Sequence, residues 1–185
     1  MLGRDKYMRP ILLLRPGRLC AKGFKVNKED LLVMITYVFF YVKQCMHHPG
    51  KIENFVFLFD TEKRGLMSLP VSLLRGFAET LQLNFRCHSC KVIVLNGTSP
   101  QVWLWKKVQG KFPEAVRKKV QISGENTCDD LKELVFKSQL PKEYGGTARP
   151  QNPNWPPILP PLGPGEKFEL HNEEYENSMM NKSQM

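Results

Sequence analysis

The sequence lacks the long apolar runs of membrane-spanning and exported proteins. Its longest apolar stretch, residues 31–42, is about half of what a membrane-spanning helix needs. The early apolar run at residues 10–14 is shorter than the roughly 7–15 residues of a signal-peptide core, and arginines flank it. The five cysteines are odd in number and irregularly spaced, which is typical of reduced thiols. These absences predict a cytoplasmic protein.

Recognisable catalytic and metal-binding motifs are also missing. The sequence contains no G-x-S-x-G, P-loop or G-x-G-x-x-G pattern. Cys87 and Cys90, with His88 between them, form one C-x-x-C pair without a second, which is a weak signal for a metal or redox site. We therefore expect no enzyme, no cofactor and no metal site.

Positive charge is the main compositional bias. The net charge of +9 favours anionic partners, either acidic lipid headgroups or nucleic acid. The lysines and arginines are spread along the chain and are densest over residues 106–119. Because no RNP-type aromatic pattern accompanies them, we expect no nucleic-acid partner.

Short runs of β-forming residues alternate with segments of helical periodicity. The runs predict strands over 9–15, 53–60, 91–96 and 119–123, and the periodic segments predict helices over 28–47, 68–84, 100–111, 114–118 and 129–137. The first of these helices is apolar all round, so we expect it to be buried on more than one side. Such alternation predicts an α/β fold with a mostly parallel sheet and helical crossovers.

The C-terminal part of the chain has a different composition. Seven prolines between residues 150 and 164 predict an extended linker, and the polar residues after it predict a disordered tail. The predicted organisation is a folded domain over 1–148, a proline-rich linker over 149–165 and a tail over 166–185.

Two features together resemble the CRAL-TRIO family over about residues 6–148. One is the run Leu-Pro-Lys-Glu-Tyr-Gly-Gly at 140–146, and the other is the pair of apolar strands that end in Asp60 and Asn96. The family includes phosphatidylinositol/phosphatidylcholine transfer proteins and tocopherol- and retinal-binding proteins. The resemblance implies a β-sheet floor and a mobile lid helix over an apolar pocket. The helical domain that usually precedes this fold is expected to be lacking here.

The resemblance also implies which residues bind lipid. Phospholipid-transfer members place small hydroxyl residues where Phe55 and Phe57 stand, and a glutamate near the position of Cys87. Their absence favours a more apolar ligand, such as a fatty acyl, isoprenoid or sterol-like molecule. The candidate lipid-binding residues are Phe55, Phe57, Phe59, Val92, Val94, Trp103 and Lys119.

Two hypotheses of function follow. In the first, a monomer binds a hydrophobic lipid without catalysis, transfers it, and contacts an anionic membrane transiently. In the second, the pocket is filled or vestigial and the domain is a targeting scaffold, as in the versions of this fold in Rho exchange factors. Under this second hypothesis the phenylalanines belong to the core, Trp103 and Trp105 are both partly buried, and Lys119 is a surface lysine at the start of a strand.

Overall fold

The computed structural model describes residues 2–15, 18, 27–62, 88–111, 114–149 and 160–169. Within these ranges, four strands form one sheet in the order β1-β2-β3-β4, and every neighbouring pair is parallel. The strands are β1 (Ile11–Leu14), β2 (Phe55–Asp60), β3 (Ser89–Leu95) and β4 (Val120–Ile122). The predicted α/β fold with a parallel sheet is confirmed.

Helical segments connect and follow the strands. Asn27 caps α1 by accepting a hydrogen bond from the backbone N–H of Asp30 at 2.7 Å. The predicted helix over 68–84 lies outside the described residues. The described helices are α1 (Lys28–Tyr41), continued by a π-helical turn (Val42–Met46), α2 (Ser99–Val108), α3 (Glu114–Arg117) and α4 (Asp129–Leu134).

Different elements pack against the two faces of the sheet. Side chains alternate along each strand, so neighbouring residues point to opposite faces. One face packs against α4 and the segment after it through Leu131, Val135, Leu140 and Tyr144. The other, here called the phenylalanine face, consists of Leu12, Phe55, Phe57, Phe59, Val92 and Val94, and α1 packs against part of it.

The glycines of the 140–146 run are required by the backbone. Gly145 has φ +81°, a left-handed conformation that favours glycine. A Cβ on Gly146 would overlap the carbonyl oxygen of Leu140. This tight turn follows the 3-10 turn Lys142–Tyr144 and holds Tyr144, which is 1% exposed, under the sheet.

Residues 160–169 contact the folded domain. The buried side-chain amide of Gln139 donates hydrogen bonds to the carbonyls of Pro160 and Pro161, at 3.2 and 3.1 Å. The backbone N–H of Glu169 donates to the carbonyl of Lys6 at 2.7 Å. Part of the predicted linker and the start of the predicted tail therefore lie against the domain, and the domain boundaries remain predictions.

The sequence predicts that the first helix is buried on more than one side, but the structure leaves the outer side of α1 exposed. The inner side of α1 packs on the sheet through Phe39, which is 2% exposed. Its outer side carries large apolar residues that stay exposed: Val33, Met34, Tyr37 and Phe40. The sequence pattern showed an apolar surface all round but not how many sides the fold would cover.

Candidate functional site

One half of the phenylalanine face, here called the inner half, contains Phe55 and Phe57 and is packed core. Phe55 and Phe57 are 1% and 4% exposed, and the Phe39 ring of α1 lies 5.5 and 5.6 Å from their ring centroids. The residues of this cluster are Leu12, Phe39, Val42, Met46, Phe55 and Phe57. Aromatic rings at these distances and angles stabilise the fold beyond the area that they bury.

The outer half of the same face contains Phe59, Val92 and Val94 and is only partly covered. Phe59 stacks on Phe57 with ring centroids 5.0 Å apart, yet Phe59 itself is only half-buried. Val92 is half-buried as well, whereas Val94 is 5% exposed. Val94 lies beside Phe59 in the strand register. The predicted sheet residues therefore lie together on one face, but they differ in burial.

The other two predicted site residues make different contacts. Trp103 on α2 is exposed, and the ammonium of Lys107 lies 4.0 Å from the centroid of its ring. Trp105 is half-buried, so the two tryptophans differ in exposure but neither is fully buried. The Lys119 ammonium donates to the carbonyl of Ser89 at 3.1 Å and so ties the start of β4 to the start of β3.

A buried polar cluster lies at the carboxyl ends of the strands. Asp60 accepts hydrogen bonds from the Tyr144 hydroxyl and the Asn96 side-chain amide, both at 2.7 Å, and the Arg15 guanidinium lies 3.5 Å away. Burial alone raises the pKa of Asp60, but these donors and the Arg15 charge outweigh it, and the pKa lies below its ordinary value. Asp60 is therefore an ionised structural anchor for the strand ends.

The cluster borders an open cavity of about 540 Å³. This cavity is polar and carries four carboxylates, unlike the apolar pocket implied by the resemblance. Its lining residues are Asp60, Glu62, Asn96, Gly124, Glu125, Asn126, Glu143 and Tyr144.

The four strands and the 140–146 turn lie in the stretch of the sequence that a protein-family model matches. A family model described as CRAL/TRIO domain matches residues 1–146. The chain belongs to the CRAL/TRIO family. Membership implies that this CRAL/TRIO domain binds a lipid or another small hydrophobic molecule, and domains of the family are generally non-catalytic. The parallel sheet with helices is consistent with the CRAL-TRIO fold.

The buried cluster joins the two features on which the resemblance depends. Tyr144 belongs to the 140–146 run, and Asp60 and Asn96 are the residues at the ends of the apolar strands. The sequence placed Asp60 and Asn96 at the ends of the apolar strands but did not identify Tyr144 and Arg15 as partners of this pair. No local pattern could reveal these contacts, because 84 residues separate Tyr144 from Asp60.

No helix in the part of the chain that the structure describes is long and apolar enough to cross a membrane. Likewise, no group of three or more potential metal ligands occurs among the described residues.

The CRAL/TRIO domain also buries a histidine at the end of the π-helical turn. The His47 ring stacks on His88 at 5.6 Å and on Phe55 at 6.4 Å. Neither ring nitrogen has a hydrogen-bond partner among the described residues. Burial, with a smaller effect of His88, lowers the pKa of His47 to about 4.

We expect the folded domain to lose stability as the pH falls from about 6.5 to about 4. Over this range unfolded His47 binds a proton that folded His47 does not, so the unfolded state is favoured. The slope from this residue is at most about 1.4 kcal/mol per pH unit. Urea denaturation across this range measures it. His47→Phe should reduce the dependence of the free energy of unfolding on pH. His48→Phe, at an exposed neighbouring residue, should leave it unchanged. An unchanged slope in His47→Phe would contradict the assignment.

Proposed function

We propose that this CRAL/TRIO domain binds an apolar lipid against the outer half of the phenylalanine face and transfers it between membranes without catalysis. The observation that carries the proposal is the difference in burial along β2. Phe55 and Phe57 are covered by Phe39, whereas Phe59 and the neighbouring Val92 are half-buried. Val94, which lies beside Phe59, is 5% exposed. Burying a ligand there contributes about 25 cal/mol per Å² of apolar area.

The residues on β2 favour a ligand without a large polar headgroup. Four of the six β2 residues are apolar aromatic or aliphatic side chains with less than 5% exposure, and Phe59 adds a third phenyl ring. The polar side chain at the end of the strand, Asp60, is already bound by Tyr144 and Asn96. A fatty acyl, isoprenoid or sterol-like molecule suits this surface better than an inositol phosphate.

The surface of α2 supports contact with an anionic membrane. Trp103 is exposed, and Lys106 and Lys107 are exposed beside it. Tryptophan favours the membrane interface, and each lysine near an anionic leaflet contributes about 1 kcal/mol. We propose that α2 is the mobile lid, and that the protein is cytoplasmic and joins membranes peripherally.

The test is native mass spectrometry of the purified full chain, followed by lipid extraction and by an uptake assay from liposomes. We expect a mass above that of the chain alone, and a co-purifying apolar lipid that the extraction identifies. Protein that carries no lipid and takes none up from liposomes would contradict lipid carriage.

A second candidate is a targeting scaffold whose pocket is filled by its own side chains. The packing of Phe39 on Phe55 and Phe57 favours this alternative, because these rings occupy space that a ligand could otherwise take. The same experiment separates the two: a scaffold would bind anionic liposomes without extracting lipid from them.

A further inference from the structure

Residues 160–169, here called the strap, have a backbone that their own sequence defines. The strap begins with two consecutive prolines, which favour an extended conformation. A β-turn follows, with Pro164 and Gly165 at its centre, and Gly165 has the φ of +76° that a type II turn requires at its third residue. The backbone N–H of Glu166 donates to the carbonyl of Gly163 at 3.2 Å and closes this turn.

The strap supplies acceptors to a buried amide of the domain. Gln139 is 1% exposed, and its Nε2 donates to the carbonyls of Pro160 and Pro161 at 3.2 and 3.1 Å. Its Oε1 accepts from the backbone N–H of Arg4 at 3.1 Å. Among the described residues, the other acceptor of Nε2 is the Ser138 hydroxyl, at 3.3 Å. Because a buried amide without acceptors is costly, this amide is suited to bind two successive backbone carbonyls.

A carboxylate of the strap forms a second anchor. The Ser138 hydroxyl donates to the Glu166 carboxylate, which also accepts from the backbone N–H of Gly163 at 2.8 Å. Hydrogen bonds to an ionised group are stronger than those between neutral groups. Glu166 therefore holds the turn of the strap together and fixes it to the domain.

The N-terminal segment forms the other side of this site. A Cβ on Gly3 would overlap the side chain of Gln139, so a glycine leaves the room that the buried amide needs. The carbonyl of Lys6 accepts from the backbone N–H of Glu169 at 2.7 Å. Both ends of the strap are therefore bound to the domain.

We propose that residues 2–6 and 137–139 form a binding site for an extended peptide with two successive prolines and a following glutamate, and that the strap occupies this site within the same chain. The family model ends at residue 146, so the lipid-binding domain that it describes does not include the strap. Proline-rich segments are already extended and lose little conformational freedom when they bind. A separate peptide of this kind binds only when the tethered strap is released. The inference does not depend on lipid binding.

Hydrogen–deuterium exchange of the full chain tests whether the strap is bound. We expect the backbone amides of residues 163, 166 and 169 to exchange more slowly than in a free peptide of residues 160–169. Glu166→Ala should speed their exchange about tenfold, because it removes the charged anchor. Glu169→Ala is the matched control: Glu169 is exposed and donates through its backbone, which the substitution keeps.

A fluorescent peptide of residues 160–169, followed by anisotropy, tests whether the site accepts a separate ligand. The peptide should bind Glu166→Ala about tenfold more tightly than the wild type, because the strap of this variant is released more often while the peptide keeps its own glutamate. Adding Gln139→Leu or Ser138→Ala to Glu166→Ala should weaken peptide binding. Gln101→Leu in the same background is the control, since Gln101 is also buried but its side chain bonds Thr98 at the start of α2.

Three results would overturn the proposal. The first is a wild-type strap whose amides exchange as fast as those of the free peptide. The second is equal affinity of the wild type and Glu166→Ala for the peptide, because the peptide would then bind a surface that the strap does not occupy. The third is slow exchange in the wild type without peptide binding to Glu166→Ala, because the strap would then be a fixed part of the fold and the site would accept no separate peptide.

Discussion

Phe57→Ala should lower the free energy of unfolding by about 3–5 kcal/mol. Phe57 is 4% exposed and, among the described residues, contacts three rings, with centroid distances of 5.6 Å to Phe39, 5.4 Å to Phe55 and 5.0 Å to Phe59. Removing its ring leaves a cavity between β2 and α1 that these rigid neighbours cannot fill. Urea denaturation followed by far-UV circular dichroism measures the loss.

Phe59→Ala is the matched variant for this prediction. It removes the same ring two residues along the same face, where the side chain is half-buried. We expect a smaller loss of stability than for Phe57→Ala, together with weaker lipid uptake. Equal losses of stability in the two variants would show that the outer half of the face is packed core as well, and would favour the scaffold hypothesis.

The elements of the fold were predictable because each has a local signal. The apolar run that ends at Asp60 and the helical periodicity that begins at residue 28 predicted β2 and the start of α1 close to where the structure has them. The Leu-Pro-Lys-Glu-Tyr-Gly-Gly run indicated the family because its geometry tolerates few substitutions. A Cβ at Gly146, for example, would overlap the chain at Leu140.

The site was less predictable, because burial depends on which element covers which strand. Phe55, Phe57 and Phe59 form one repeating pattern in the sequence, yet α1 covers the first two more fully than the third. The same limit applies to α1, whose apolar outer side gave no sign that it would remain exposed. Long-range polar partners, such as Arg15 and Tyr144 around Asp60, have no local signal.

Val94→Trp should abolish lipid uptake and leave the domain folded. Val94 lies next to Phe59 in the register of β2 and β3, on the half of the phenylalanine face where we place the ligand. A tryptophan side chain at this position would fill the space that the ligand needs. Uptake of a fluorescent fatty acid or sterol from liposomes, measured beside the thermal unfolding curve, gives both results from one preparation.

Ile93→Trp is the control that defines what overpacking does in this sheet. Ile93 is adjacent in β3 but points to the opposite face, where it is 0% exposed in the cluster with Leu131 and Val135. Overpacking such a core costs about 1–3 kcal/mol. If Val94→Trp lowers the melting temperature as much as Ile93→Trp does, then Val94 faces packed side chains and the proposed ligand site is wrong. If only Ile93→Trp is destabilised and only Val94→Trp loses lipid uptake, the space beside Phe59 is the ligand-binding site.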